Sequence, residues 1–195
     1  MTTTFFQSSN GQRLACRYHQ PRSGARTFVW LSGFKSDMQG TKVVALERWA
    51  VDAGHGFLAF DYSGHGASEG AFEDGTISIW RQDTLDAIDA YTDGPLVVVG
   101  SSMGGWMALL AALARPQRIV GVVLLAPAPD FTEKLLWAGL PEQARTEILN
   151  SGFTLRPSDY DEPYCITRAL IEDGRAWQLL DAPLVIDGPV RILQG

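Results

Sequence analysis

The stretch "VVVGSSMGGWMALL", residues 97–110, decides the fold. Three β-branched residues run into two serines and three glycines, and helix formers follow at once. That order reads as a buried strand, a tight turn and a helix. Gly100-Ser101-Ser102-Met103-Gly104 matches G-x-S-x-G, in which the central serine sits on a strained strand-to-helix turn. The residues two before and two after must be small to avoid collision across that turn. Gly100 and Gly104 meet this demand for Ser102, whereas Ser101 would have Val99 and Met103 at those offsets. Ser102 is therefore the candidate nucleophile.

Working outward, the same alternation recurs on both sides. "TFVWLSG" is an apolar strand, and "TKVVALERWAVDAG" follows as a helix with Val43, Leu46, Ala50 and Ala53 on one face and Gly54 as its stop. "GFLAFDY" is a strand, then Thr76 caps a helix whose face carries Ile77, Trp80, Thr84, Ile88 and Tyr91. "RIVGVVLLAP" is a further strand after the elbow helix, which Pro116 stops. "TFFQSS" and "RLACRYHQ", joined by Asn10-Gly11, form an N-terminal hairpin. Apolar strands separated by helices specify an α/β fold with a doubly wound, mostly parallel sheet.

The pattern changes from Pro129 to Gly188. The short segments "LPEQARTEILNSG" and "EPYCITRALIEDG" read as helices started by prolines, with no strand among them. The expected organisation is one domain over residues 1–195, with a core of 1–128 and 189–195 and a lid-like helical insertion over 129–188 at the sheet's edge. "PVRILQG" is then a fifth buried strand. In the insertion, Phe131, Leu135, Leu136, Trp137 and Phe153 are open to two readings, an acyl pocket or plain helix-to-sheet packing.

A chain of 195 residues buries roughly two-thirds of its unfolded surface without staples. With sixteen basic against twenty-two acidic residues, a net charge of −6 gives no electrostatic reason to bind nucleic acid. Cys16 and Cys165 lack metal-ligand spacing, so reduced thiols are expected and no metal or cofactor is called for. No stretch reads as a membrane span or signal peptide, and the expected compartment is the cytoplasm.

A serine acyl-transfer site also needs donors for the developing oxyanion. The Met103 backbone N–H, at the start of the elbow helix, is one candidate. The other is the Phe34 N–H, in the loop after "FVWLSG", where Gly33 permits close backbone approach. His65, in "FDYSGHGASEG", invites a reading as base, but its glycine-flanked position fits a structural loop histidine better. His19 and His55 are expected at the surface.

Taken together, Leu31-Ser32-Gly33-Phe34, Asp61-Tyr62-Ser63-Gly64-His65-Gly66-Ala67-Ser68 and Gly100-Ser101-Ser102-Met103-Gly104-Gly105-Trp106 resemble the serine hydrolases of the α/β-hydrolase fold. "FDYSGHGAS", "DGPLVVVGSSMGGW" and "GPVRILQG" resemble, more narrowly, a thioesterase branch of that family. The resemblance implies cleavage of a carboxylic ester or thioester, a small-molecule or acyl-chain substrate, through an acyl-enzyme on Ser102 and without a cofactor. It also implies a triad acid and a histidine after the strand that "VRILQG" resembles, in roughly sixty further residues, so the chain is expected to be part of a longer protein. Asp130, after "LLAPAP", is a minority position for the acid, and His65 would then have to serve as base. The contrasting expectation is a non-catalytic binding or scaffold member of the fold.

Overall fold

The computed structural model describes residues 2–157 and 163–194. Glu162, near the start of the second expected insertion helix, and Gly195 lie outside the described residues.

A seven-stranded sheet runs in the order β1-β2-β4-β3-β5-β6-β9. The Asn10-Gly11 hairpin pairs β1 (Thr4–Gln7) with β2 (Arg13–His19), and β2 pairs antiparallel with β4 (Gly56–Phe60). From β4 onward the pairing is parallel, through β3 (Thr27–Leu31), β5 (Leu96–Ser101), β6 (Ile119–Leu125) and β9 (Val190–Leu193). This is the doubly wound, mostly parallel α/β architecture the sequence pattern predicts.

Helices cover both faces, so β4 is buried at every residue. On one face α1 (Thr41–Asp52) packs Val43 and Ala50 against Trp30, Phe57 and Val99. The expected α1 face is partly corrected: Ala53 is exposed, and Glu47 takes a buried position because Arg17 and His19, reaching across from β2, pair with it at 2.9 and 2.8 Å. On the other face lie α2 (Ile77–Tyr91) and α3 (Met103–Ala114). Thr76 caps α2, its hydroxyl accepting the Ile79 N–H at 3.3 Å. The helix α3 is apolar all round and buried from Met103 through Ala112, since it lies between the sheet and the layer outside it. Each fully buried Leu or Met there contributes roughly 2 kcal/mol of transfer free energy.

The 129–188 segment departs from expectation in two ways. It contains strands: β7 (Phe153–Arg156) pairs antiparallel with β8 (Tyr164–Thr167), while α4 (Glu142–Ser151) forms as expected. The second expected helix begins later, as α5 (Arg168–Arg175), because the Thr167 hydroxyl caps it by accepting the Leu170 N–H. The segment packs on the loop after β3, where Phe34 meets Phe131 and Tyr164, and on the neighbouring helices. Asp173 accepts hydrogen bonds from the Ser78 N–H and hydroxyl at the start of α2, and Trp106 of α3 donates to the Trp177 carbonyl. A π-helical turn over Thr132–Trp137 packs on α5. Among the described residues β9 stands at the edge of the sheet, with Ile192 and Leu193 exposed.

Candidate active site

Ser102 occupies the turn between β5 and α3 with φ 54° and ψ −120°, a backbone region that costs an L-residue roughly 1–3 kcal/mol. Ser101, by contrast, is still in the strand, opposite Leu125 of β6. The strain at Ser102 is held from both sides: its N–H donates to the Leu125 carbonyl at 3.1 Å, and its own carbonyl accepts from Gly105 and Ala128. The glycines are required sterically. A Cβ on Gly100 would stand 2.7 Å from the Gly105 nitrogen, and one on Gly104 would stand 2.6 Å from the Ser32 carbonyl oxygen. The result is an exposed side chain at 102, with a hydroxyl that has no hydrogen-bond partner among the described residues.

Beside it lies a cavity of about 350 Å³, lined by Trp30, Ser32, Gly33, Phe34, Ser36, Asp37, the first residues of α1, and both serines. Gly33 comes close, since a Cβ there would touch the Ser102 Cβ at 3.4 Å. Neither the Phe34 amide nor the Met103 amide has an acceptor among the described residues. Met103 opens α3, where the unpaired N–H groups and the helix dipole favour a negative charge. None of the five apolar insertion residues lines this cavity. Phe131 is buried against Phe34 and Trp106, whereas Leu135 and Phe153 face outward.

His65 is committed elsewhere. Its Nε2 accepts the Lys35 N–H at 3.2 Å and its Nδ1 donates to the Ser63 carbonyl at 3.2 Å, inside a shell of Tyr62, Phe72 and Trp80. Burial lowers its pKa to about 4, so the ring is neutral. Asp130 is fully buried, and its two carboxylate oxygens accept the Leu179 and Leu180 N–H groups at 2.8 and 2.9 Å. It latches the insertion to the end of β6. His19 is half-buried on Glu47, and His55 is half-buried against Phe28 and Trp49, so neither stands free at the surface.

The geometry also brings in residues that local sequence reading leaves out. Asp61, fully buried, accepts the Met38 N–H at 2.7 Å and the Ala67 N–H at 2.9 Å, and the Arg17 guanidinium donates to the Met38 carbonyl at 2.6 Å. Burial pushes the Asp61 carboxyl up in pKa, against the opposing pull of those two amides. Together these groups fix the far end of the loop that starts at Gly33. The one local signal for them is Gly66, at φ 50°, where a Cβ would run into the Asp61 carboxylate.

A serine on such an elbow, at the carboxyl edge of a doubly wound parallel sheet, defines an α/β hydrolase. Within that class the chain belongs to the Hydrolase_4 family, described as serine aminopeptidase, S33, whose profile matches residues 26–168. It is 36% identical over 180 residues to human palmitoyl-protein thioesterase ABHD10, mitochondrial, covering 91% of this chain and 58% of that protein. It is 32% identical over 127 residues to human monoglyceride lipase, covering 62% of this chain and 41% of the lipase. Among solved structures, a hydrolase from Agrobacterium vitis, named as putative, superposes with a TM-score of 0.93 at 39% identity, covering 98% of this chain and 77% of that one. Mouse ABHD10 superposes at 0.86 with 32% identity, covering 98% and 76%. The chain thus spans 58% of the length of the curated thioesterases it matches.

The cytoplasmic expectation is corrected by the same comparison, because those thioesterases are named as mitochondrial proteins. No helix among the described residues is long and apolar enough to cross a membrane.

Proposed function

We propose that this chain carries the nucleophile and oxyanion hole of a hydrolase that cleaves carboxylic esters or thioesters through an acyl-enzyme on Ser102. The observation that carries the reading is the exposed Ser102 hydroxyl, on a strained turn beside a cavity shared with Phe34, while the Phe34 and Met103 amides both lack an acceptor among the described residues. The Ser102 oxygen attacks the carbonyl carbon and its proton passes to a general base. The carbonyl oxygen becomes an oxyanion bound by the two amides. Collapse expels the alcohol or thiol, which takes that proton, and water then releases the acid by the same route.

The family pattern assigns the base and its orienting acid to the segment after the strand that β9 represents. The named activities of the relatives, palmitoyl-protein thioesterase and monoglyceride lipase, support an acyl ester or thioester as substrate.

A fluorophosphonate probe tests the nucleophile. The intact protein should label, Ser102→Ala should not, and a panel of short and long acyl esters and thioesters then defines the substrate. Absence of labelling in the folded intact protein removes the proposal and favours the scaffold reading. That second reading has one observation behind it: both nitrogens of His65 are already engaged away from Ser102.

A further inference from the structure

We propose that the cleft between α2, α3 and the segment after α5 binds a small anionic amphiphile, a carboxylate with an apolar body of about eight carbons, whose charge Arg81 takes. The site is separate from Ser102. Leu110 to Ala114 lie eight to twelve residues along α3 from the elbow, about 12–18 Å at a helical rise of about 1.5 Å per residue.

The cation poses the question. Arg81, half-buried on α2, makes no hydrogen bond or ion pair among the described residues, and its Nε is buried without a partner. Its guanidinium lies over the Trp177 ring at 4.5 Å from the centroid, which offsets only part of the cost of taking an unpaired charge out of water. Burial pulls its pKa down, and the neighbouring Arg115 pulls the same way. Its own helix supplies no acid within reach, because the positions three and four residues away hold Ile77, Ser78, Thr84 and Leu85. The other acids of α2 are engaged. Asp83 accepts the Ser63 N–H, Asp86 accepts the Ser9 N–H and hydroxyl, and Asp89 holds Arg115 at 2.6 Å. Asp173, which comes in from α5, is taken by Ser78. Arg81 is therefore left with no counter-ion among the described residues.

The space beside it suits an apolar anion. A cavity of about 220 Å³ adjoins Arg81, walled by Leu110, Leu113, Leu179 and Trp177. An apolar cavity of about 150 Å³ holds benzene, so this one has room for about nine or ten non-hydrogen atoms. Its walls are held in place: the Trp177 indole N–H donates to the Ser78 hydroxyl at 2.7 Å, the Trp177 carbonyl accepts from Trp106 at 3.1 Å, and Asp130 accepts the Leu179 N–H. The carboxyl end of α3 would repel an anion, but Arg115 covers it by donating to the Ala114 carbonyl. Leu113 is 40% exposed, which leaves the cleft open to solvent. An inorganic anion gains nothing from the leucine walls, and an uncharged chain leaves Arg81 unpaired. A carboxylate on a short chain satisfies both.

The test is calorimetric titration of the intact protein with octanoate, with butyrate as the probe that lacks the tail and octanol as the probe that lacks the charge. Thermal melting of each variant checks the fold. Octanoate should bind saturably with a Kd of about 1 mM or below, and butyrate and octanol about fivefold or more weakly. Arg81→Met keeps the apolar stem and removes the charge. It should weaken octanoate by about fivefold or more, leave octanol unchanged, and melt no earlier than wild type. Leu113→Trp fills the cleft from an exposed position and should abolish binding of both. If either variant does not fold, Arg81→Gln or Leu113→Phe takes its place. The proposal is overturned if octanoate does not saturate by about 10 mM, if octanol binds as tightly as octanoate, or if the two variants bind octanoate as wild type does, which would put it at another site. A wild-type protein that fails to label at Ser102 would leave this result standing, so the two readings fail separately.

Discussion

Gly104→Ala probes the elbow most directly. The added Cβ would overlap the Leu31 carbonyl oxygen and stand 2.5 Å from the Leu31 carbonyl carbon and 2.6 Å from the Ser32 oxygen. These are backbone atoms at the end of β3, not the ends of flexible side chains. Ordinary contact begins at 3.4 Å, so α3 and the end of β3 must separate by about 0.8 Å at Ser32, and by more at Leu31. Overpacking against rigid neighbours costs about 1–3 kcal/mol, while alanine regains about 1 kcal/mol of helix propensity over glycine. The expected net loss is about 2 kcal/mol at the upper end of that range, or roughly 4–8 °C in melting temperature for a chain of this size. The same separation pulls Met103 and Ser102 away from Phe34. A shift of about 1 Å costs on the order of a hundredfold in rate when the reacting groups are pre-positioned. Urea unfolding and fluorophosphonate labelling measure the two effects separately. Gly94→Ala is the control, since nothing lies within 4 Å of a Cβ there. A Gly104→Ala protein as stable as wild type and labelled as fast would show that the elbow is not built by this close approach.

Two further outcomes are expected. Ser102→Gly should abolish labelling yet raise stability by about 1 kcal/mol in urea unfolding, because glycine relieves the positive φ at that position. Asp83, buried beside Ser63 and within the field of Asp86, has its pKa raised to about 6, chiefly by desolvation. A carboxyl whose folded pKa lies above its unfolded value weakens the fold fully above the folded pKa, and the penalty fades as pH falls toward the unfolded pKa near 3.8. Asp83→Asn should therefore stabilise the protein by about 2 kcal/mol near neutral pH, with the gain over wild type shrinking between roughly pH 6 and pH 4; a gain independent of pH would contradict the assignment.

The fold was largely legible because its signals are local. The glycine offsets around Ser102 are a steric demand of the turn itself, and the runs from Phe28 to Leu31, Phe57 to Phe60 and Val97 to Val99 announce strands buried on both faces. The insertion was less legible. Tyr164–Thr167 follows Pro163, a residue at home at a helix start, yet its β-branched and aromatic residues pair with Phe153–Arg156, and the helix waits for the Thr167 cap. What the sequence could not reveal is partnership at long range. Glu47 looks like a surface residue of an amphipathic helix until Arg17 and His19 arrive from β2. Likewise His65 and Asp130 invite catalytic roles by residue type, and only the fold shows that backbone amides from other segments have claimed them.

The distribution of backbone strain ties these observations together. Among the described residues, the non-glycine positions with positive φ are Lys35, Ser102, Ala126 and Asp130, and all four follow the carboxyl ends of β3, β5 or β6. Strain of this kind persists only where the surroundings over-determine it. Each position has such a clamp: Lys35 donates to His65, Ser102 is bonded through both its N–H and its carbonyl, Ala126 donates to the Leu193 carbonyl of β9, and Asp130 holds two amides of the insertion. Apart from the Gly105 N–H on Ser102, the clamps come from distant segments and cannot be read from the strained residue's neighbours in sequence. Ala126 and Ser102 share β6 as support, which makes the pairing of β9 with β6 part of what keeps the elbow in place although β9 lines no wall of the cavity beside Phe34. Loosening β9 should thus reach Ser102 through Ala126 and Leu125, whereas the loop after β3, anchored at Met38 by Asp61 and Arg17, should be indifferent to it.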